Sequence, residues 1–322
     1  MASPSGNDSD GVYSGIPTLG VNPLAPEHLF NVSGMVVVIT GGGSGIGRMM
    51  TSALARNGAI VYIVGRRLDV LQATAQEINV PDKIIPLEGD VTDRDSLLSL
   101  VDGVKNRHGY IDLLINNAGI VRDLYDHPLP TPCGSSPASS TPNSPAPSGF
   151  AETFATNVTS VYYTTVAFLE LLHQGNVRKQ ENDTSFPLGG QIRPPFHSSQ
   201  VLTVSSSGGF RLDPKILSLS YTLAKAACTH LGKLLANLLV PWGIRSNVLA
   251  PGVFPSEMTS GLFPDIGLGP AAFIDSVPLK RAGTEEEMAG AILFLASRSG
   301  AYVNGAVWLV DGGRIGSVAS SY

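Results

Sequence analysis

The stretch MVVVITGGGSGIGR, residues 35–48, decides the fold, because a run of branched apolar residues leads directly into a turn of glycines. Residues 35–40 are typical of a buried strand, and the residues after the turn have the spacing of a helix. Glycines at such a turn let the backbone approach a pyrophosphate, whose charge the N–H groups at the helix N-terminus stabilise. Gly41, Gly45 and Gly47 follow G-x-x-x-G-x-G rather than G-x-G-x-x-G, but their position still predicts a nucleotide site.

Seven short apolar runs recur along the chain, and helical patterns separate most of them. The runs are residues 35–40, 59–65, 84–89, 111–116, 201–206, 244–250 and 306–310. Continuous apolar strands that alternate with amphipathic helices indicate a parallel sheet covered on both faces. The sequence therefore predicts an α/β fold, a Rossmann-like doubly wound parallel sheet of about seven strands with helices on both faces, as a single domain over residues 31–314.

Four segments fall outside this alternation. Residues 1–30 are polar and irregular and predict an N-terminal tail or arm, and residues 315–322 predict a C-terminal tail. Residues 122–149 are so rich in proline and serine that we expect a solvated insertion without regular structure. A second polar stretch, residues 174–200, predicts a long surface loop before the fifth strand.

Composition excludes several classes of function. The 322-residue chain has a formal net charge of -5, which argues against a nucleic-acid partner. Its two cysteines, Cys133 and Cys228, are far apart, so we expect neither a disulfide framework nor a metal site, and a reducing compartment fits best. The N-terminus lacks a signal-peptide pattern, and no apolar run reaches the roughly 18 residues of a membrane span. We therefore expect a soluble, cytoplasmic protein without a membrane partner.

The choice of cofactor depends on the end of the second strand, where a carboxylate would bind the 2′-hydroxyl of the adenosine ribose. Here the strand ends in VGRRLD, which places Arg66 and Arg67 at that turn, and Asp69 follows too late to replace the missing acid. A guanidinium suits a 2′-phosphate through bidentate, charge-assisted hydrogen bonds. The sequence therefore favours NADP(H) over NAD(H).

Further motifs follow in a fixed order: GDV at 89, NNAG at 116, YTLAK at 221, PG at 251 and DGG at 311. Together with TGGGSGIG at 40, they resemble the short-chain dehydrogenase/reductase family in its NADP(H)-preferring branch, over about residues 31–314. The chain looks most similar to fungal reductases that resemble 3-oxoacyl reductases. The resemblance implies an oxidoreductase that acts on CH–OH or C=O groups.

The resemblance also implies four catalytic residues. Tyr221 is the proton donor, Lys225 lies one helical turn further on the same face, and Asn157 supports a water path. The lysine charge favours the phenolate and so makes the tyrosine a usable acid. The family serine commonly lies 13 residues before the tyrosine, but that position is Gly208. Aligning the strand end makes Ser206 the match, with Ser205 and Ser207 as rivals.

The cofactor-binding residues that the resemblance implies surround the glycine turn and the ends of the later strands. They are Gly41, Ser44, Gly45, Ile46, Gly47, Arg66, Arg67, Asp90, Val91, Asn116, Asn117, Ala118, Gly119, Tyr221, Lys225, Pro251, Gly252, Val253 and Ser256. After the sixth strand, Leu262, Phe263, Phe273 and Ile274 either form an apolar lid over the substrate or pack a loop.

The leading interpretation is an NADPH-dependent carbonyl reductase that acts on a lipophilic ketone or an acyl or polyketide-like intermediate. The alternatives are an enzyme of this fold with a non-redox reaction, such as an isomerase or cyclase, and a nucleotide-binding regulatory protein. The helix that begins at Tyr221 is apolar on more than one face, which predicts a homodimer or homotetramer. The residues concerned are Ala226, Ala227, Leu231, Leu234, Leu235 and Leu238.

Overall fold

The structure is a computed structural model that describes residues 22, 24–123, 147–182, 197–213, 218–256 and 274–322. Several predicted features lie outside these residues. They are most of the N-terminal tail, most of the proline- and serine-rich insertion with Cys133, residues 183–196 of the 174–200 segment, and the lid residues Leu262, Phe263 and Phe273.

Seven parallel strands form one sheet in the order β3-β2-β1-β4-β5-β6-β7 within the described residues. The strands are β1 Val36–Thr40, β2 Ile60–Gly65, β3 Ile84–Glu88, β4 Leu113–Asn116, β5 Gln200–Val204, β6 Arg245–Pro251 and β7 Val307–Val310. Each lies within one or two residues of the run that predicts it. The predicted doubly wound α/β fold is confirmed.

Helices cover both faces of the sheet. They are α1 Pro26–Leu29, α2 Gly45–Arg56, α3 Leu68–Ile78, α4 Arg94–Arg107, α5 Pro147–Phe154, α6 Ser160–Ala167, α7 Leu169–Asn182, α8 Leu219–Leu238 and α9 Glu285–Ala296. Two apolar cores result, because successive residues of β1 point to opposite faces: Val37 and Ile39 enter one core, and Val36 and Val38 enter the other.

The strand order reverses beside β1, which pairs with β2 on one side and with β4 on the other. In open α/β sheets, ligands bind in the crevice at the carboxyl ends of the strands where this reversal occurs. The glycine turn after Thr40 and the NNAG stretch at the end of β4 therefore meet at one edge of the sheet. The fold places the candidate site at that edge.

The prediction of a surface loop over residues 174–200 is wrong at both ends. Helix α7 continues to Asn182, and Gln200 is already the first residue of β5. The helix is held by buried polar contacts: the Asn176 amide donates to Trp242 O over 3.0 Å, and its oxygen accepts from the backbone N–H of Ser199 over 2.7 Å. These contacts join distant parts of the chain, so the local polarity of the stretch did not reveal them.

Two other segments predicted as irregular are ordered at their edges. Helix α5 begins at Pro147, inside the proline-rich stretch, because proline is tolerated in the first turn of a helix. The predicted C-terminal tail packs against the domain, since Ile315 is almost completely buried. None of the helices described here is long and apolar enough to cross a bilayer.

Candidate active site

The glycine turn begins where β1 ends, and close approaches fix its residues. Gly41 has a positive φ of 65°, and its N–H donates to Val64 O over 2.7 Å. Gly47 must be a glycine, because an added Cβ would collide with the carbonyl oxygen of Gly41. Ser44 is the N-cap of α2, yet its side chain makes no capping hydrogen bond. The first-turn N–H groups of α2 have no acceptors within the helix and therefore suit an anionic ligand.

A network of hydrogen bonds holds the NNAG stretch against this turn. The Asn117 amide donates to Thr40 O and to Gly41 O, both over 3.0 Å. The Thr40 hydroxyl oxygen accepts from the backbone N–H of Asn117 over 2.9 Å and from that of Ala118 over 3.0 Å. The Asn117 amide thus stabilises the contact between the two segments, and its hydrogen bonds go to backbone carbonyl groups of the protein. Thr40, which the sequence motifs did not indicate, also holds the two segments together.

A groove of about 210 Å³ extends from the glycine turn across the ends of β2, β3 and β4. Its lining includes eight of the residues predicted to bind the cofactor: Gly41, Ser44, Arg66, Arg67, Asp90, Val91, Ala118 and Gly119. Gly43, Thr92, Ile120 and Thr156 also line the groove, although the sequence analysis did not name them. Each of these four residues lies within two positions of a predicted one. The only signal in the sequence that could have identified them is this proximity to the motifs.

Charged groups lie at one end of the groove. The Arg66 Nη1 atom lies 3.9 Å from Asp90 Oδ2, and Thr92 donates to Asp90 Oδ1 from its N–H and its hydroxyl over 2.8 and 2.6 Å. Burial raises the pKa of the Asp90 carboxyl, but the Thr92 hydrogen bonds and the Arg66 charge outweigh it and lower the pKa overall. Asp90 is therefore an ionised hydrogen-bond acceptor at neutral pH.

Helix α8 carries the tyrosine and the lysine. Its N-cap Ser218 accepts from the backbone N–H of Tyr221 over 3.2 Å and donates to Arg122 O over 2.6 Å, which ties the start of the helix to the loop after β4. Lys225 lies one turn further and is buried, and its Nζ atom is 5.8 Å from the centre of the Tyr221 ring. The predicted pair therefore lies on one face of the helix.

Ser206 lies at the start of the turn that approaches Tyr221. It is the N-cap of a short 3-10 turn, Ser207–Phe210, and its Oγ accepts from the backbone N–H of Gly208 over 3.0 Å. A Cβ on Gly208 would lie 3.2 Å from Ser206 Oγ and 3.8 Å from Tyr221 Cε1, so the turn brings the two side chains together.

The two rival serines are buried beside Ser206. The Ser205 hydroxyl donates to Lys225 O over 2.8 Å and shares a 2.6 Å hydrogen bond with Thr229 Oγ1. Ser207 is only 2% exposed. The geometry therefore favours Ser206 as the serine that a substrate can reach.

Asn157 lies in a π-helical turn, Ala155–Thr159, between α5 and α6. Its side chain accepts from the backbone N–H of Ile120 and donates to Ile120 O, both over 2.9 Å. A Cβ on Gly119 would lie 3.3 Å from Asn157 Oδ1 and 3.5 Å from Lys225 Nζ. The Lys225 ammonium donates to Val204 O over 2.8 Å. Asn157 and Lys225 therefore meet at Gly119, which lines the groove.

The predicted cofactor-binding residues after β6 contact several parts of the domain. Ser256 lies against the start of α2, since a Cβ on Gly45 would be 3.0 Å from Ser256 Cβ. Gly252 packs so closely on Asp311 that a Cβ added to Gly252 would lie 2.6 Å from Asp311 Cα. Val253 lines a second cavity, of about 550 Å³, beside α9. Ile274, the described residue of the predicted lid, is partly buried.

Comparisons with known proteins agree with this arrangement. A family model described as short chain dehydrogenase matches residues 35–179, and one described as Enoyl-(Acyl carrier protein) reductase matches residues 193–314. The chain is 41% identical over 305 residues to Short-chain dehydrogenase/reductase VdtF of Byssochlamys spectabilis. This match covers 93% of this chain and 98% of that protein. It is 40% identical over 312 residues to Short-chain dehydrogenase/reductase PhomF of Diaporthe leptostromiformis, with coverages of 93% and 97%.

A solved structure shows the same fold. The chain superposes on the "Pseudomonas aeruginosa RhlG/NADP active-site complex" with a TM-score of 0.72 and 28% sequence identity. The match covers 89% of this chain and 98% of that one. The matched structure is thus described as an NADP active-site complex.

Proposed function

The chain belongs to the short-chain dehydrogenase/reductase family of oxidoreductases, and we propose that this member is an NADPH-dependent carbonyl reductase. Its substrate is a lipophilic ketone or an acyl or polyketide-like intermediate. The observation that carries the proposal is the meeting of Asn157 and Lys225 at Gly119, because Gly119 also lines the groove beside the glycine turn. Helix α8, which carries Lys225, also carries Tyr221, and the turn that begins after Ser206 approaches Tyr221 at Gly208.

The residues of the groove fit a nicotinamide dinucleotide. The uncapped first turn of α2 would receive the pyrophosphate, and Asp90 would receive the adenine amino group. Lys225 would hold the nicotinamide ribose, and Pro251 and Gly252 would mark the nicotinamide edge. When bound, NADPH supplies the hydride that reduces the carbonyl carbon of the substrate.

The side chains of this protein handle the proton. Tyr221 donates its phenolic proton to the carbonyl oxygen as negative charge develops there, which is general acid catalysis. Ser206 donates a hydrogen bond to the same oxygen, and the Lys225 ammonium stabilises the phenolate that remains. Asn157 fixes the loop at Ile120 and so supports the water path that returns a proton to the site.

The preference for a lipophilic substrate is supported by apolar side chains around the serine turn. Leu212 is largely exposed, and Phe210, two residues before it, is partly exposed. Exposed apolar groups at the border of a polar site suit a substrate that contributes apolar surface of its own.

The preference for NADPH rests on Arg66 and Arg67, which both line the groove. We expect the double substitution Arg66→Ala, Arg67→Ala to weaken NADPH binding by roughly 10- to 100-fold, because charge-assisted hydrogen bonds to the 2′-phosphate are lost. NADH affinity should change little. Fluorescence titration with both nucleotides measures the effect. Arg94→Ala is the control, because it removes an arginine from an exposed helix end. Equal wild-type affinities for NADPH and NADH would contradict the preference.

Cofactor consumption across a panel of ketones and alcohols tests the proposed function. Stoichiometric NADPH oxidation with a ketone supports carbonyl reduction. Product formation without net consumption would indicate an isomerase or cyclase, and NADPH binding without any turnover would indicate a regulatory protein.

A homo-oligomer formed through α8 is part of the proposal. Helix α8 buries Leu235 in the core, but it leaves Leu234 and Leu238 exposed. These two leucines lie one helical turn apart and form an exposed apolar strip on the helix. A second copy of this chain would cover it.

We expect Leu234→Glu combined with Leu238→Glu to convert an oligomer into a monomer, because two charges would be buried without partners. Light scattering at micromolar concentration gives the mass. Lys233→Glu, at an exposed position of the same helix, is the control and should leave the mass unchanged. A monomeric wild-type protein would contradict the proposal.

A further inference from the structure

Residues 318–322, here called the strap, fold back onto the segment that follows the 3-10 turn of Ser206. Ser320 forms an antiparallel bridge with Arg211. The backbone N–H of Leu212 donates to Ala319 O over 2.8 Å, and that of Ser321 donates to Phe210 O over 2.9 Å. The strap therefore binds the last residue of the turn through its main chain.

Side chains strengthen the same contact. The rings of Phe210 and Tyr322 meet edge to face, with centroids 5.1 Å apart and an interplanar angle of 78°. Aromatic pairs in this geometry contribute beyond their buried area. The strap thus contacts both the carbonyl oxygen and the ring of Phe210.

A charged cluster lies beside the strap. Arg211 donates two hydrogen bonds to Asp213, over 2.6 and 2.7 Å, and both side chains are largely buried. Arg314, which precedes the strap, is also buried. Burial, together with the charge of Arg211, lowers the pKa of Arg314 to about 10, although Asp213 and Asp311 act in the opposite direction. The Arg314 guanidinium therefore lies within electrostatic range of the Arg211–Asp213 pair.

The opposite side of the 3-10 turn packs against α8. A Cβ on Gly209 would lie 2.8 Å from the backbone nitrogen of Ala226 and 2.8 Å from the carbonyl carbon of Lys225. Gly209 therefore allows the turn to lie directly on the helix that carries Tyr221. The turn is thus held between α8 on one side and the strap on the other.

Ser206 depends on this turn for its position. Its hydroxyl caps the turn at Gly208, so any tilt of the turn moves the hydroxyl relative to Tyr221. Hydrogen-bond donors to a developing negative charge must be held in place, and a displacement of about 1 Å can reduce turnover by roughly 10²-fold. We propose that the strap is a positioning element that holds Ser206 in register with Tyr221. The expected loss of turnover rests on the proposed function. The expected effect of the strap on the position of the turn does not.

Two substitutions in the strap test it. Tyr322→Ala removes the ring from Phe210, and Ser321→Pro removes the N–H that donates to Phe210 O. We expect each to lower kcat for ketone reduction by roughly 10-fold and to leave NADPH affinity unchanged, because the strap contacts the serine turn and not the groove. Hydrogen exchange in residues 206–211 should become faster, whereas exchange in β5 and α8 should not.

Two further variants serve as controls. Tyr322→Phe keeps the ring and should retain the wild-type kcat and exchange rates. Gly316→Ala should have no effect, because a Cβ there meets no atom within 4 Å. Wild-type exchange in residues 206–211 of both Tyr322→Ala and Ser321→Pro would overturn the proposal, as would an unchanged kcat alongside faster exchange. If no ketone is reduced by the wild-type protein, the proposed function fails, and the exchange rates still decide whether the strap holds the turn.

Discussion

Replacing Tyr221 with phenylalanine is expected to lower turnover by roughly 10²- to 10⁴-fold, the range typical of general acid catalysis. The substitution removes one oxygen and keeps the ring, so the packing of α8 should survive. Ser206 and Lys225 remain in place, but neither can replace the phenolic proton at the carbonyl oxygen. Steady-state kinetics on a ketone identified in the panel gives kcat, and fluorescence titration should show an NADPH affinity close to that of the wild type.

Tyr163→Phe is the matched control for this experiment. Tyr163 is an exposed tyrosine on α6, and the substitution makes the same chemical change away from the serine turn. Its turnover should equal that of the wild type. If Tyr221→Phe retains a near-normal rate on a confirmed substrate, the acid lies elsewhere or the reaction is not carbonyl reduction.

Replacing Lys225 with methionine is expected to impair both turnover and NADPH binding. The ammonium is buried, donates to Val204 O over 2.8 Å and approaches Gly119 at the edge of the groove. Methionine fills a similar volume but carries no charge, so it can neither stabilise the Tyr221 phenolate nor bind the ribose. We expect turnover to fall by roughly 10²-fold or more and NADPH affinity by roughly 10-fold, which are the costs of losing charge-assisted contacts.

The control for this prediction is Lys233→Met, on an exposed face of the same helix. It should leave both quantities unchanged. Thermal unfolding of the two variants separates a functional effect from a loss of structure. A Lys225→Met variant that binds NADPH as tightly as the wild type would contradict the assignment of the ammonium to the ribose.

The sequence predicted the sheet well because its strands are buried on both faces. Residues 35–40 are apolar apart from Thr40, and residues 111–116 are apolar apart from Asp112 and Asn116; the structure places β1 and β4 within these runs. The ordered motifs also predicted the family, which the family models and the two fungal relatives confirm. Local composition was sufficient in these cases because burial and turn chemistry act over short distances.

Contacts between distant residues were not predictable in this way. The polar residues at 174–182 form a helix because Asn176 is bound by Trp242 and Ser199, which no local pattern records. Asn117 matched a cofactor-binding motif, but its amide is bound to the carbonyl groups of the glycine turn. The choice among three adjacent serines likewise needed the position of Gly208 between Ser206 and Tyr221. In each case the partner lies far away in the sequence.

The most direct test of the central claim follows a deuterium atom. A ketone from the panel is incubated with the enzyme and NADPH that carries deuterium at the transferable position of the nicotinamide, and the product is analysed by mass spectrometry. Carbonyl reduction predicts one deuterium on the carbinol carbon of each product molecule and one NADPH oxidised for each product formed. Product that forms without deuterium, or without oxidation of NADPH, would contradict the claim that this protein is a carbonyl reductase.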